Sequence, residues 1–401
     1  MNKKISLIIT IIVISNIIRY IGVASGITSF ASITRVIYAF MTWGTLFIFP
    51  YKLFKYNDFS KLTNTIIKVL LLLGIYQIIV TIFNNDPVLN TLGNKYITLF
   101  TNDNCAISFI APLFIYCAMT NNILNKILSS VKKFICTLIL FVPFYNFFIT
   151  TPFFFLIFKK YVNKKTALLI ILSLILCLFT AIGGARTAFG ILALCITAYF
   201  INYTLLSRIL NKIFCIATIL LPFILFIPML NNSDEESIFQ YYSHSLNTKD
   251  EELTNDTRTF LYKEMAEDLT KTDSWLMGKG AHCYYYSNTF FLTTSDNADH
   301  YHRLTSEVTF LHYLLHGGIV YTTLYYSLFV IAILMAAFKG KSKFIRCAGA
   351  MLASLYLCNF ISTFQTFGVF SFTMFVFMGC CLSKTWLNYS NKDINDMFKI
   401  K

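Results

Sequence analysis

Two long apolar runs lie on either side of a short polar break in residues 164–203, which read KKTALLIILSLILCLFTAIGGARTAFGILALCITAYFINY. Each run is close to the ~20 residues that an α-helix needs to cross the hydrocarbon core of a bilayer. Basic residues precede the first run, and glycines together with Arg186 form the break. The stretch therefore predicts a pair of membrane-spanning helices joined by a tight turn.

The composition of the whole chain agrees with this interpretation. Of its 401 residues, 56 % are hydrophobic and only 13 % are charged, and the mean hydropathy is +0.63. A soluble domain carries about 25 % charged residues, so the composition excludes a soluble enzyme and a disordered chain. The basic residues lie in scattered short segments rather than on one face, which excludes binding to nucleic acid. The 11 cysteines form no CxxC motif and fall mostly in apolar runs, which indicates buried thiols.

Similar apolar runs recur along the chain, and most are long enough to span a membrane. Because every backbone polar group must be satisfied inside lipid, and the alternating strands of a membrane barrel are missing from the sequence, these runs predict helices. We therefore predict an all-α, polytopic helical bundle with about 10–12 transmembrane helices. The run at 134–158 has basic residues at both ends and contains prolines, so it is interpreted as a re-entrant or broken hairpin. The predicted spans are 5–24, 28–50, 63–84, 104–120, 134–158, 166–183, 187–203, 214–230, 306–337, 346–364 and 366–388.

Charge is distributed unevenly and predicts the orientation of the chain. Residues 231–305 carry 13 acidic and 6 basic side chains, whereas the rest of the chain carries 6 acidic and 27 basic ones. Since short basic segments stay in the cytoplasm, the acidic segment predicts one large loop on the other side of the membrane. The chain is thereby divided into N-terminal transmembrane helices (1–230), the large loop (231–305), and C-terminal transmembrane helices with a cytoplasmic tail (306–401).

The run at 306–337 is longer than a bilayer requires, which predicts a helix that begins outside the membrane. Thr305 is a suitable N-cap residue for this helix. Glu307 would then lie in the first turn, where a carboxylate interacts favourably with the helix dipole.

All six histidines fall between His244 and His316, in the large loop or just after it. This clustering indicates a polar reaction site on that side of the membrane, although loops commonly hold polar residues. His312 and His316 have the i, i+4 spacing of metal ligands. No third ligand follows at a useful spacing, so no metal site is predicted.

Two arginines on the side of the loop are candidates for binding an anion. Arg186 lies at a membrane edge that the positive-inside rule leaves poor in arginine, and such residues are functional hypotheses by default. Arg258 lies in the loop segment 255–258. Two guanidinium groups on one side of a membrane can hold a diphosphate through paired hydrogen bonds. The alternatives are contact with lipid headgroups for Arg186 and a loop salt bridge for Arg258.

The order of these motifs resembles that of the O-antigen polymerase and O-antigen ligase superfamily of bacterial inner membranes. The break with Arg-Thr-Ala at 186–188 is followed by a large loop with Asp-Thr-Arg at 256–258, by WLMGKG at 275–280 and by SEVTFLHYLLHGG at 306–318. The resemblance covers residues 100–338 by layout. The position that the ligases fill with histidine, counted back from Gly318, is Glu307 here, which favours the polymerase branch over the ligase branch.

The resemblance implies a multi-pass protein of the bacterial inner membrane that joins undecaprenyl-diphosphate-linked oligosaccharides on the periplasmic face. Its implied partners are this lipid-linked substrate, membrane lipids and a chain-length regulator protein. A diphosphate is a good leaving group that needs charge stabilisation, which Arg186 and Arg258 can provide without a nucleotide, a metal ion or another cofactor. Glu307 and His302 are the candidates for the base that accepts the proton of the acceptor hydroxyl.

Aromatic side chains near these motifs are candidates for stacking on sugar rings, namely Trp275 and Tyr285. Aromatic residues also collect at membrane interfaces, which is the alternative explanation. Two other functions stay open for the whole chain: a ligase that transfers finished polysaccharide to the lipid A core, and a flippase for lipid-linked oligosaccharides. A flippase needs charged residues lining a cavity and internal repeats, and no repeat is visible in the sequence.

Overall fold

The computed structural model describes residues 2–55, 58–84, 86, 89, 94–102, 105–120, 122–130, 132, 153–181, 186–225, 259–287, 302–304, 306–362 and 367–399. Within these ranges the chain is almost entirely helical, and its sheet structure consists of one two-stranded antiparallel ribbon. The α-helices are α1 (Asn2–Ala24), α2 (Thr28–Ile48), α3 (Lys61–Phe83), α4 (Lys95–Thr101), α5 (Ala106–Ile110), α6 (Ile123–Ser130), α7 (Lys164–Ala181), α8 (Arg186–Phe200), α9 (Arg208–Leu225), α10 (Thr259–Lys271), α11 (Thr309–Lys339), α12 (Lys343–Cys358), α13 (Val369–Leu382), α14 (Lys384–Asn388) and α15 (Asn391–Lys399). The remaining elements are 3₁₀ helices at Tyr51–Lys55, Ala111–Met119 and Phe153–Tyr161, a π-helical turn at Ile201–Leu205, and strands β1 (Tyr285–Tyr286) and β2 (His302–Arg303).

Several helices are long and apolar enough to cross a membrane, which agrees with a multi-pass membrane protein. Among the described residues these are α1, α2, α3, α9 and α11, with a sixth if Ala106–Met119 and Ile123–Ser130, bent by 119° relative to each other, count as one span. Their outer faces carry large apolar side chains such as Phe40, Phe47 and Phe83, each at least 77 % exposed. Faces of this kind fit lipid tails rather than water.

Among the described residues, fewer helices reach spanning length than the apolar runs predict, and two of the runs are divided. The run at 104–120 consists of the short α5 and a 3₁₀ helix that carries a proline in its first turn. The run at 366–388 is interrupted at Ser383, whose hydroxyl caps α14 by accepting from Trp386 N. The hairpin predicted at 134–158 lies mostly outside the described residues.

The bundle has two ends of different chemistry. At one end, Lys384 N donates to Asp58 O (3.1 Å) and Lys341 N donates to Leu387 O (3.0 Å). These contacts join the basic connections around Lys61 and Lys341 to residues 384–387, and we call this the basic end. Helix α3 ends and α11 begins at the opposite end, which we call the loop end because residues 259–287, 302–304 and 306–308 pack there.

Helix α11 begins at Thr309, later than the sequence predicts, and no side chain caps it. Thr309 N instead donates to Ser362 O (3.0 Å), a carbonyl that follows α12. A tertiary contact thus supplies an acceptor that an N-cap side chain would otherwise supply. The prediction that Glu307 lies in the first helical turn is therefore wrong, since Glu307 lies in a bend before the helix. The predicted cap, Thr305, lies outside the described residues.

Candidate functional site

Helix α11 is broken at Gly318, and a loop of the polar segment fills the break. Gly318 has φ 66° and ψ −174°, which lies outside the helical region. The break leaves helical amides and carbonyls without their usual partners, and the loop after α10 replaces those partners. The four hydrogen bonds are Lys279 N to Leu315 O (2.9 Å), Gly280 N to His316 O (3.1 Å), Ile319 N to Trp275 O (2.8 Å) and Val320 N to Leu276 O (3.2 Å).

Glycine is required on both sides of this contact. Gly278 has a positive φ of 71°, and a Cβ on it would lie 2.5 Å from Gly318 N and from His316 O. A Cβ on Gly318 would overlap Leu276 O and lie 2.5 Å from Gly278 N. The motifs at 275–280 and 316–318, which the sequence presents as separate, are therefore two complementary backbone surfaces.

The same loop is anchored on α3. Gln77 Nε2 donates to Met277 O (2.6 Å), and Ala281 N donates to Gln77 O (3.1 Å). His282 N donates to Thr81 Oγ1 (3.2 Å). Residues 275–283, which we call the inserted segment, thus lie between α3 and α11 with their backbone bonded to protein. Irregular backbone next to membrane helices is tolerated under this condition.

A buried ion pair joins the inserted segment to α10. Lys279 Nζ lies 2.8 Å from Asp268 Oδ2, and the two side chains are 15 % and 10 % exposed. Lys279 Nζ also donates to Tyr284 O (2.9 Å). Tyr284 OH donates to Asp86 Oδ2 (2.8 Å), and burial together with this hydrogen bond raises the pKa of Tyr284 to about 12. The network holds the inserted segment, α10 and the end of α3 in one arrangement.

Strands β1 and β2 separate two groups of side chains. Tyr285 pairs with Arg303, and Tyr286 pairs with His302. Consecutive residues of a strand point to opposite faces, so Tyr285 and Arg303 share an inner face while Tyr286 and His302 share an outer face. The exposed fractions agree, because Tyr285 is 0 % exposed and Tyr286 is 41 % exposed.

Glu307, a predicted catalytic residue, pairs with the inner-face arginine. Arg303 Nη2 donates to Glu307 Oε1 at 2.9 Å, and the side chains are 14 % and 54 % exposed, respectively. The pair combines a mostly buried guanidinium with an accessible carboxylate. Such a carboxylate can accept a proton from a hydroxyl group once the arginine contact is shared or released.

His302, the other predicted catalytic residue, lies on the outer face with two tyrosines. Its ring centroid is 4.7 Å from that of Tyr284 and 6.0 Å from that of Tyr286, both in edge-on geometry. Because the ribbon places His302 on the face opposite Arg303, the partner of Glu307, the two predicted bases belong to different groups. Either residue can act as the base for an acceptor hydroxyl, but the two do not act together on the same hydroxyl.

The two predicted sugar contacts occupy other positions. Tyr285 is fully buried, so its ring has no face available for a sugar, and the exposed ring of the strand is Tyr286. Trp275 Nε1 donates to Thr270 Oγ1 (3.0 Å), and its carbonyl accepts from Ile319 N. Trp275 is thereby part of the joint between α10 and α11.

The predicted diphosphate-binding arginines are Arg186, the first residue of α8, and Arg258, which lies outside the described residues. Helix α8 packs along α12, and Cys347 Sγ lies 3.9 Å from Ala198 O near the basic end. About 18 Å of helix separates Ala198 from Arg186. The start of α8 is therefore directed toward the loop end, the side that the sequence predicts.

Buried histidines pack around the inserted segment. His316 Nδ1 lies 2.8 Å from Gly280 O and 3.2 Å from Cys283 Sγ. Burial, with a further contribution from the charge of Lys95, lowers the pKa of His282 to about 4. Within the part of the chain that the structure describes, no group of three or more His, Cys, Asp or Glu side chains could hold a metal ion.

Sequence reasoning missed Asp268, Lys279 and Arg303 as members of this site. Lys279 could have been identified, because it lies between two glycines in the motif at 275–280. The i, i+4 spacing of Arg303 and Glu307 was also visible, but this spacing implies contact only within a helix. Here a strand and a bend bring the two together instead.

Two of the four motifs that carry the family resemblance, at 275–280 and 306–318, lie together at the loop end. The segment 275–280 contacts the break at 316–318, and Glu307 precedes the same helix, while 186–188 begins α8. The motif at 256–258 lies outside the described residues. No protein-family model, no curated protein and no solved structure matches the chain.

Proposed function

We propose that the protein is a membrane glycosyltransferase that joins undecaprenyl-diphosphate-linked oligosaccharide repeat units, in the manner of an O-antigen polymerase. The observation that carries this proposal is the Arg303–Glu307 pair, an accessible carboxylate on a mostly buried guanidinium at the loop end of an apolar helical bundle. A lipid-linked donor holds its diphosphate at the membrane surface and its sugars in water. The bond that must break, between the sugar and the diphosphate, therefore lies where the bilayer meets water. Glu307 lies at the corresponding place in the protein, where the apolar bundle meets the polar loop.

The reaction needs one base and the stabilisation of one leaving group. Glu307 accepts the proton of the acceptor hydroxyl while the hydroxyl oxygen attacks the anomeric carbon of the donor sugar. The bond from this carbon to the diphosphate oxygen breaks as the new glycosidic bond forms. The lipid diphosphate leaves with its negative charge, which Arg186 and Arg258 stabilise.

His302 is the alternative base. It lies on the outer face of the ribbon beside Tyr284 and Tyr286, and its ring is partly exposed. Glu307 is preferred because its side chain is 54 % exposed while Arg303 holds it in place. Tyr286, whose exposed ring lies beside His302, is a candidate for stacking on a sugar, and Trp275 stays a candidate from the sequence.

We further propose where the protein lies and how it is oriented in the membrane. The chain lies in a bacterial inner membrane with its basic end in the cytoplasm and its acidic loop in the periplasm. Helices α7, α8, α12 and α13 raise the five or six helices of spanning length to nine or ten crossings, and the segment at 134–158 would supply the rest. Its substrate is the lipid-linked oligosaccharide, and a chain-length regulator protein is its expected partner.

Deletion of the gene, followed by gel analysis of lipopolysaccharide, tests the reaction class. A polymerase defect leaves lipid A core bearing a single repeat unit. A ligase defect leaves bare core, with polymer retained on the lipid carrier. A flippase defect leaves bare core with repeat units trapped in the cytoplasm. An unchanged ladder would contradict the assignment to O-antigen, and capsule would then be the product to test.

Complementation with point variants tests the site. Glu307→Gln is expected to lower polymerisation about 100-fold or more, the usual effect of removing a general base. Arg186→Ala is expected to shorten or abolish the ladder. Glu267→Gln is the matched control, because Glu267 is a 49 % exposed carboxylate in an i, i+4 pair with Lys271 in the same polar segment. A normal ladder from both Glu307→Gln and Arg186→Ala would reject the site even if the reaction class held.

A further inference from the structure

One exposed aromatic ring lies beside a histidine on the outer face of the ribbon. Tyr286 is 41 % exposed, and its ring centroid lies 6.0 Å from that of His302, which is half-buried. The two residues pair across the ribbon, and Tyr286 N donates to Asp268 Oδ1 of α10 (3.4 Å). Because this backbone is already ordered, a ligand that covers the ring has little further ordering to impose. The outer face is therefore suited to binding.

Tyr284 also contacts His302, but its own ring is engaged by the protein. Lys279 Nζ lies over the ring of Tyr284, 5.1 Å from its centroid, which is a favourable cation–π contact. The same ring is edge-on to His302 at 4.7 Å, and its hydroxyl donates to Asp86 Oδ2. Tyr284 thus holds His302 in place. Among the described side chains of this face, Tyr286 and His302 are the ones that a ligand can cover.

The outer face lies in water rather than in lipid. Helix α10 packs against β1. The exposed side chains among the described residues of α10 are all polar, namely Lys263, Glu267, Thr270 and Lys271. Aromatic residues that collect at a membrane interface border apolar surface, whereas Tyr286 borders this polar helix through Asp268. The ligand that covers Tyr286 is therefore a water-soluble group and not an acyl chain.

A sugar ring has the surface and the polar groups that match this face. The C–H groups on one side of a sugar ring pack on the face of an aromatic ring, and its hydroxyls form hydrogen bonds at the ring edge. Histidine can both donate and accept a hydrogen bond through its two ring nitrogens, as a sugar hydroxyl can. Tyr286 and His302 therefore offer the two kinds of contact that a sugar needs.

The candidate site on the inner face of the same ribbon identifies the source of the sugar. His302 is followed directly by Arg303, the partner of Glu307, and consecutive Cα atoms lie about 3.8 Å apart. An oligosaccharide whose reacting hydroxyl lies at Glu307 is longer than this distance, so a neighbouring ring can reach the outer face. We propose that this face is a subsite for a sugar ring of the oligosaccharide, with the ring stacked on Tyr286 and a hydroxyl bonded to His302. The inference rests on the proposed function, and it gives His302 a binding role away from the reacting bond.

Binding of the free oligosaccharide tests the subsite without the reaction. The repeat-unit oligosaccharide is released by mild acid from its carrier lipid and titrated calorimetrically into the purified full-length protein, in a detergent that has no sugar headgroup. Tyr286→Ala is expected to weaken the affinity about tenfold, the usual effect of losing a central aromatic contact. Tyr286→Phe keeps the ring and is expected to bind nearly as the wild type does. His302→Ala is expected to weaken the affinity as Tyr286→Ala does.

Tyr96→Ala is the matched control, because Tyr96 is a 51 % exposed tyrosine in α4, at the same end of the bundle. It is expected to bind the oligosaccharide as the wild type does. Equal losses in Tyr96→Ala and Tyr286→Ala would indicate unspecific contact with exposed tyrosines and overturn the subsite. Wild-type affinity in Tyr286→Ala, or a wild type that does not bind the oligosaccharide, would overturn it as well. Melting temperatures without oligosaccharide check that each variant folds, and His302→Ala provides the test if Tyr286→Ala does not fold.

Kinetics with the lipid-linked repeat unit separate this inference from the proposed function. Tyr286→Ala and His302→Ala are expected to raise KM about tenfold with little change in kcat, as the loss of a binding contact away from the reacting bond does. A His302→Ala variant that binds the oligosaccharide normally but lowers kcat about 100-fold would overturn the subsite and make His302 the base. A wild type that binds the oligosaccharide but joins no units would contradict the polymerase, while its binding would still support the subsite.

Discussion

The two ends of the bundle hold their positive charges in different ways. At the loop end, Lys279 is paired with Asp268 and Arg303 with Glu307. At the basic end, Arg346 instead donates to the carbonyl oxygens of Gly340 and Lys341 at the end of α11. The loop end thus pairs its cations with carboxylates, whereas Arg346 is held by backbone carbonyls. A paired carboxylate that is also exposed, as Glu307 is, can still take part in a reaction, whereas a guanidinium on terminal carbonyls serves to hold a helix end in place.

The largest expected effect comes from breaking the joint that organises the loop end. Gly318→Ala places a Cβ against Leu276 O and forces alanine to adopt a φ of 66°. We expect this variant to lose about 4 kcal/mol of unfolding free energy or more, or to fail to fold. Gly44→Ala is the control, because nothing lies within 4 Å of a Cβ at Gly44. Equal melting temperatures for the two variants in detergent would contradict the joint between α11 and the inserted segment.

The next largest expected loss of stability comes from breaking the buried ion pair between Lys279 and Asp268. Lys279→Met leaves Asp268 as an uncompensated charge that is only 10 % exposed, and we expect a loss of about 3 kcal/mol. Lys279→Met combined with Asp268→Leu is expected to recover part of this loss, since it removes the unpaired charge as well. Thermal unfolding of the single and double variants measures the difference. A double variant no more stable than the single one would mean that the pair does not act as described.

Acidification tests the same end of the molecule without a mutation. The pKa of His282 falls from 6.5 to about 4 on folding, so the unfolded chain binds more protons between these values. Stability is therefore constant above pH 6.5 and decreases as the pH falls toward 4, by about 2 kcal/mol between pH 7 and pH 5. Melting temperatures of the wild type and of His282→Gln across this range measure the effect, and the variant is expected to give the flatter profile. A wild-type profile as flat as that of the variant would count against a buried neutral imidazole.

The smallest expected effect belongs to the pair that we assign to catalysis. Glu307 is 54 % exposed, and ion pairs of this kind contribute about 1 kcal/mol or less. Glu307→Gln is therefore expected to change the melting temperature little while it lowers polymerisation about 100-fold or more. The two readouts on one purified variant separate a role in chemistry from a role in folding. A large loss of stability would mean that Glu307, like Asp268, mainly stabilises the fold.

Local sequence patterns predicted part of this architecture. The pair of apolar runs at 164–203 corresponds to α7 and α8, because hydropathy and length act over a single helix. The same reasoning placed the start of α11 wrongly, since the acceptor for Thr309 N is Ser362 O and lies 53 residues away. A capping rule that reads neighbouring residues cannot anticipate an acceptor from another helix.

The sequence by itself determined that the chain is helical, that its helices suit a membrane and that Glu307 and the motif at 275–280 are unusual. These properties follow from composition and from side chains close together along the chain. Only the tertiary structure decided that residues 275–280 fill the break at Gly318, that Arg303 pairs with Glu307, and that the ribbon separates His302 from this pair. These arrangements depend on hydrogen bonds between distant segments and on which face of a strand is buried, and both are settled only when the helices pack.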